Sequence, residues 1–333
     1  MEKEKIIIHS SKQAAAEFEQ ATGAVFIPLS NDLLFHIVLQ NSKPALKGLI
    51  CSLLSLKHEE VKDVEIKNPI CYGDYLNTKQ IVLDSKVLLN NDSVVNIEIQ
   101  NQNADNWNDR ALFYTCRNMA DLNGGDDYAQ LMTFYHIGII DFNLKGKEPE
   151  FYARYELCNI ANPHERFNRK MAIFVLCLEQ TERATKQDID SGRLHWAKLF
   201  KATTWDEIKS LSIGYPDIKE AAQIMYNATA EEEIRQELEA IEKGRRDHLW
   251  LMNSARREGL AKGRAEGRAE GIALSQKAFQ MYFKEQKPKD EIAAELGVSL
   301  EEINDLLYEC NYSEQVEAKS INAMQKHICF LRP

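Results

Sequence analysis

Two carboxylates set in apolar strand sequence raise the question of chemistry. Asp84 sits in "IVLDSKVLL" and Glu98 in "VVNIEIQ". The second stretch alternates strictly, so Val95, Ile97 and Ile99 share one face and Asn96, Glu98 and Gln100 the other. Such alternation is the ordinary mark of a strand with one wet face. Asp84 fits that reading poorly, because aspartate is among the poorest residues for a strand interior. On one face of a hairpin the two acids would repel each other unless a positive charge sat between them. A hard divalent cation with oxygen ligands meets that need. Mg²⁺ takes one or two carboxylates and keeps waters for substrate and nucleophile. Gln100 would return to the same face, where its amide can orient a water or contact a phosphate. It cannot serve as an acid or base at pH 7.

The pairing makes this reading sharp. Opposing Asp84 to Glu98 requires Leu89 to face Ser93 around a three-residue loop, or Leu88 to face Val94 around a longer odd loop. A two-residue loop at Asn91-Asp92 would send the acids to opposite faces unless a bulge intervened.

The elements that must position these residues follow from periodicity and punctuation. "SNDLLFHIVLQ" and "KPALKGLICSLLSL" read as one or two amphipathic helices, with Ser30 or Asn31 as N-cap and Asp32 in the first turn. "VKDVEIKN", "KQIVLDSKVLL" and "SVVNIEIQNQ" read as strands, with "NNDS" as a turn. "ADNWNDRALFYTCRNMADLNGG" reads as a helix with Asp105 as N-cap and Gly124-Gly125 as its stop. "LMTFYHIGIIDF" reads as a buried strand, giving α-β-β-β-α-β over residues 30–142. "FYARYELCNI" and "KMAIFVLCLE" add strands, and the pattern is helical from about residue 185 to 250.

Composition bounds the class. The chain has 333 residues, 44% hydrophobic and 28% charged, which is globular. Seven cysteines without a C-x-x-C argue against a disulfide framework or zinc ribbon and for buried thiols in a reducing compartment. The apolar runs fall short of a membrane span, and the charged start "MEKEK" lacks a signal-peptide core. Together these point to a cytoplasmic protein with no membrane partner. A net charge of −10 argues against a chain that coats nucleic acid over its whole surface, but leaves room for a local basic patch.

The order of these segments resembles the PD-(D/E)XK nuclease superfamily, and more closely the Rpn group of recombination-promoting nucleases and putative transposases. "DLLFHIVL" resembles that group's D-x-x-F-K-x-x-F opening, with His36 in place of lysine. "LDSKVLLNNDSVVNIEIQ" resembles its acidic hairpin, and "WNDRALFYTCRNMADLNGGDDYAQL" its R-S-L-Y-Y segment. "IGIIDF", "HWAKLFKATTWDEI" and the glycine-spaced tail extend the likeness over about residues 25–310. The resemblance implies an α/β core with a mixed sheet flanked by helices and a helical C-terminal region. It also implies a Mg²⁺-dependent DNA endonuclease, able to use Mn²⁺, associated with recombination or mobile elements. Asp84 and Glu98 would hold the metal, Gln100 would stand where the superfamily more often has lysine, and Asp32 would add an acid. Arg110 and Tyr114 match recurrent positions and would face DNA. The alternative is a protein that keeps this fold and binds nucleic acid or a partner without cutting.

Other residues bear on chemistry too. His136 in "FYHIGII" reads as a core histidine ahead of a catalytic one. Trp107 reads as packing. "NPHERFNRK", with His164, Arg166, Arg169 and Lys170, reads as either a phosphate contact or a solvated turn. Expected boundaries are a core over 1–180, a helical region over 181–253, a repeat over 254–274 and a small helix-turn-helix-like tail over 275–333. The repeat places glycine at 259, 263, 267 and 271 and like charges at i,i+4, so it reads as a spacer or as a helix completed by a partner. Between Lys243 and Arg268 eight basic residues face three acidic ones, which makes Arg264 and Arg268 candidate phosphate contacts. In the tail, Ile292, Ala293 and Leu296 are spaced to face Ile303 and Leu306 across Gly297-Val298-Ser299. Its second helix carries Glu301, Glu302 and Asp305, so the tail reads as a packing or homo-oligomerisation module rather than a DNA reader.

Overall fold

The computed structural model describes residues 5–8, 12–68, 85–101, 106–119 and 127–307. The chain divides into two compact units, residues 1–243 and residues 244–333. The first unit begins with α1 (Lys12–Gln20), α2 (Asp32–Asn41), α3 (Lys43–Leu54), β1 (Val64–Ile66), β2 (Ser85–Leu89), β3 (Ser93–Gln100), α4 (Trp107–Met119) and β4 (Thr133–Ile140). The α-β-β-β-α-β order is thus present, with two helices at its head. Asn31 caps α2, its Oδ1 accepting from Leu34 N at 3.1 Å. Ser42 then ends α2 and caps α3, accepting from Ala45 N at 3.1 Å, with Pro44 in the first turn. Asp105, Gly124 and Gly125, expected at the ends of α4, lie outside the described residues.

The sheet continues with β5 (Tyr152–Tyr155) and β8 (Met171–Cys177), in the order β1-β2-β3-β4-β8-β5. β3, β4 and β8 run parallel, and β1, β2 and β5 pair antiparallel at the flanks. "FYARYELCNI" does not form one strand. The chain leaves the sheet after Tyr155, where Glu156 accepts from both Arg154 and Arg166. It then makes an exposed two-stranded hairpin, β6 (Cys158–Asn159) with β7 (Asn162–Arg166). The "NPHERFNRK" segment is therefore partly strand, and two of its cations are already engaged. Arg166 bonds Glu156, and Lys170 Nζ donates to the carbonyls of Ala129 and Leu131 at 3.1 and 2.5 Å.

One face of the sheet carries the main core. Val95, Ile97 and Ile99 join α2, α3, α6 (Arg193–Lys201), α7 (Trp205–Leu211), α8 (Pro216–Ala230) and the start of α9 (Glu232–Phe279) in one buried apolar cluster. Each fully buried Leu, Ile or Phe there contributes about 1.5–3 kcal/mol. A smaller cluster on the opposite face joins Trp107 and Ala111 of α4 to Ile140, Phe142, Val175 and Cys177. Glycine has a packing role in α3: a Cβ at Gly48 would lie 2.0 Å from the Asp217 carboxylate at the start of α8.

The second unit contains the remainder of α9, a π-helical turn over 280–284, α10 (Lys289–Leu296) and helical residues from 300 to 307. The glycine repeat is helical throughout, with every residue from 255 to 273 exposed. Lys262 and Glu266 make an i,i+4 ion pair at 3.8 Å. Gly297 caps α10 at φ +67°, and Ile292, Ala293, Ile303 and Leu307 close a small core with Ala278 and Met281. Leu307 takes the place expected for Leu306, because it follows Ile303 by one full helical step of four. Among the described residues no helix is long and apolar enough to cross a membrane.

A buried ion pair joins α6 to α5, and its arginine also reaches the end of α3. Asp188, which forms the N-terminal capping box of α5 (Lys186–Asp190) with Thr185, is 4% exposed, and Arg193 is 2% exposed. Arg193 Nη1 donates to Asp188, Nε to the Ser52 carbonyl at 2.9 Å and Nη2 to Ser55 Oγ, and the guanidinium stacks 3.9 Å over the Tyr152 ring. Removing one partner leaves the other charge buried alone. Arg193→Ala is expected to cost about 3–5 kcal/mol in urea unfolding. A loss below about 1 kcal/mol, within the range of exposed ion pairs, would show that the pair is dispensable.

Candidate functional site

The loop between β2 and β3 fixes the register on which the site depends. Leu89 faces Ser93 and Ser85 faces Ile97, around the three-residue loop Asn90–Asp92. This is the shorter of the two odd loops that the sequence called for. Asn90 and Asn91 adopt φ +52° and +61°, a region asparagine tolerates. Asn90 also anchors the lead-in to β1, accepting from Lys62 N at 2.7 Å and donating to the Glu60 carbonyl at 2.8 Å. Asp84 lies outside the described residues, so the described register ends one residue short of it.

The polar face of β3 is not wet. Asn96 is 4% exposed and Glu98 7%. Burial comes from the β3-α4-β4 crossover: β4 pairs parallel with β3, and α4 lies over the same face. Glu98 stands opposite Gly138. A Cβ on Gly138 would come within 2.2 Å of the Trp107 indole, so the glycine is what lets α4 seat closely. Trp107, 3% exposed, is a packing residue, as its sequence suggested.

Seated this way, α4 delivers a cation to the buried acid. Arg110 Nη2 donates to both Glu98 Oε1 and Gln100 Oε1. On the other side of Glu98 stands His136, fully buried, with Nε2 at 3.6 Å from Glu98 Oε2. Burial, and then the Arg110 charge, push the His136 pKa down to about 4. The ring is therefore neutral near pH 7, and its contact with Glu98 is dipolar rather than an ion pair. Asn96 Nδ2 lies 3.4 Å from His136 Nδ1. His136 is thus a core histidine, as read from the sequence, but one in contact with the candidate acid. The strand pattern carried no signal for that contact, because it depends on the pairing of Asn96 with His136 across β3 and β4.

The structure brings Glu98, Gln100, Arg110 and His136 together. Asp32 is exposed in the first turn of α2. Asn101, directly after β3, donates to the Ser30 carbonyl at 2.6 Å, which ties the entry of α2 to the end of β3. Tyr114 is half-buried on α4, with its ring edge-on to Phe113. Arg264 and Arg268 lie exposed on the second unit's part of α9. His36, where the resemblance expects lysine, is 1% exposed within α2. Burial drives its pKa down to about 4, opposed by the Asn68 backbone, so it supplies no positive charge at neutral pH.

The donor chemistry fits a hard divalent cation. Glu98 and Gln100 offer one carboxylate and one amide oxygen, and both converge on a single cationic nitrogen. Among the described residues no three His, Cys, Asp or Glu side chains form a metal-sized cluster.

Two outcomes follow from this packing. Gly138→Ala should push Trp107 outward and cost about 1–3 kcal/mol in denaturant midpoint analysis. An unchanged midpoint would mean that α4 seats without the glycine. His36 is neutral when folded, whereas its ordinary pKa is 6.5. Its contribution to stability is complete above that value and is lost as pH falls towards 4. Between these pH values the wild type should lose roughly 3 kcal/mol more than His36→Leu. Parallel stability-pH curves for the two proteins would refute it.

No curated protein and no solved structure matches the chain. A family model described as "PD-(D/E)XK nuclease family transposase" matches residues 29–255, a span that holds α2, the β2-β3 hairpin, α4 and β4. The Rpn resemblance read from the motifs is consistent with that family. With two thirds of its length matched, including the strand that carries Glu98 and the helix that covers it, the chain belongs to the PD-(D/E)XK nuclease family transposases.

Proposed function

We propose that this chain is a metal-dependent DNA endonuclease acting in recombination or on a mobile element. The observation that carries the reading is the convergence of Glu98 and Gln100 oxygens on one cation, beneath α4 and beside a desolvated imidazole. In this reading Asp84 and Glu98 hold Mg²⁺, with Mn²⁺ as a substitute. The bound ion would activate a water and neutralise charge on the scissile phosphate. Glu98 supplies a carboxylate whose low exposure strengthens its attraction for a cation. Gln100 supplies a dipole and no proton, so less of the charge stabilisation comes from this position than a lysine would give. Asp32 adds an acid, an assignment supported by the Asn101 to Ser30 tie at the same end of β3. Arg110 and Tyr114 face the DNA from α4. Arg264 and Arg268 contact phosphates through the second unit, and the C-terminal tail is the surface for a second copy of the chain.

One observation favours a second reading. Glu98 already has a positive partner in Arg110, as a non-cutting member of the fold would require. Cleavage separates the two readings. Purified wild type should nick plasmid DNA with Mg²⁺ or Mn²⁺ and not with EDTA. Glu98→Ala and Asp84→Ala should lose at least about 100-fold in rate, the scale of removing one charge-stabilising group from a site. Absence of metal-dependent cutting by folded wild type would leave the non-catalytic reading in place, and equal cutting by a folded Glu98→Ala preparation would overturn the role given to Glu98.

A further inference from the structure

Among the described residues two arginines meet a buried carboxylate, and they do so differently. Arg193 is locked on every side: Nε, Nη1 and Nη2 each donate to a separate acceptor, and Tyr152 stacks beneath the guanidinium plane. Arg110 commits Nη2 to Glu98 and Gln100, while its buried Nε has no hydrogen-bond partner among the described residues. Its side chain is 33% exposed, compared with 3% for Arg193. The first arrangement holds a fold together. The second neutralises a charge through a single nitrogen at the solvent side of the site.

We propose that Arg110 is the placeholder cation of this site: its guanidinium occupies the point where the Glu98 and Gln100 oxygens converge and leaves when a divalent metal ion takes those oxygens. The inference rests on the metal reading given above. One physical requirement drives it. Glu98 cannot remain a buried carboxylate without a positive neighbour, so an unloaded site needs a substitute for the ion. A guanidinium nitrogen and a divalent ion cannot both occupy the convergence point of the same two oxygens. Arg110 therefore stabilises the unloaded protein and competes with metal, acting as a positioning residue that sets metal affinity.

The test is Mn²⁺ binding, read by the loss of free-ion electron paramagnetic resonance at pH 8, with no DNA present. Losing a competing charge-assisted hydrogen bond should tighten Mn²⁺ binding about tenfold or more in Arg110→Ala and in Arg110→Gln. Arg110→Lys should stay close to wild type, because the charge is kept. A structural arginine would give the opposite sign, so weaker or unchanged binding in a folded Arg110→Gln overturns the proposal. Should both neutral variants misfold, Mg²⁺ titration of wild type reads the same event through the Arg110 Nε–H resonance, identified by its loss in Arg110→Lys. Movement of that signal on titration supports displacement, and a fixed signal at saturation overturns it. If wild type binds no Mn²⁺ at millimolar concentration and Glu98→Gln changes nothing, the metal reading itself fails and the placeholder with it. If wild type binds in a Glu98-dependent way but Arg110→Gln binds no more tightly, only the placeholder fails.

Discussion

A carboxylate in the middle of a mixed sheet must be neutralised, and the architecture around β3 is organised by that demand. Glu98 is 7% exposed, with β4 beside it and a helix above it. Leaving it ionised there costs several kcal/mol unless a cation is brought close. The α4 crossover brings that cation as Arg110, and the depth at which α4 sits decides whether Arg110 reaches. Depth is set in turn by Trp107 packing where Gly138 has no side chain. Three residues from two separate segments thus form one dependency: the glycine of β4 admits the indole of α4, the indole seats the helix, and the helix places the guanidinium.

The two faces of the sheet solve different problems. The face carrying Val95, Ile97 and Ile99 is closed by α2, α3 and α6 to α8, and its stability is ordinary apolar burial. The opposite face combines a small apolar cluster with Asn96, Glu98 and His136, all buried. Polar groups in such a place are expensive to keep and fix a definite arrangement only when paired. The same contrast separates the two buried arginine-carboxylate pairs among the described residues. Arg193 has all its donor groups engaged and joins α3 to α6, whereas Arg110 spans one nitrogen and two oxygens at the mouth of a site.

The second unit rests on a different balance. Four glycines in an exposed helix each cost about 1 kcal/mol relative to alanine, and the like charges at i,i+4 oppose the helix further. The alanine-rich remainder and the Lys262–Glu266 pair act in its favour. Past the repeat, the core of Ile292, Ala293, Ile303 and Leu307 closes around a glycine-capped turn, so this end of the chain has apolar burial of its own.

Much of the fold was legible in the sequence because its signals are local. Period-2 alternation gave β3, Asn31 was one of two cap candidates for α2 and is its cap, and two candidate acids one hairpin apart demanded an odd loop, which the Asn90–Asp92 turn supplies. The motif order located the family, because it samples several elements in sequence. Other features depend on which strands become neighbours, and no local pattern encodes that. Alternation alone made Glu98 a solvent-facing residue, and only the parallel pairing of β3 with β4 beneath α4 buried it. His136 looked like a core residue and is one, yet its contact with Glu98 exists only through the Asn96–His136 register. Leu307 rather than Leu306 closes the tail core because helix phase, not apolar character, selects between adjacent leucines. The sequence by itself determined which side chains could do chemistry and the strand phase that sets their faces. Tertiary structure decided which of them are desolvated and which cation meets them, because both depend on contacts between segments remote in the chain.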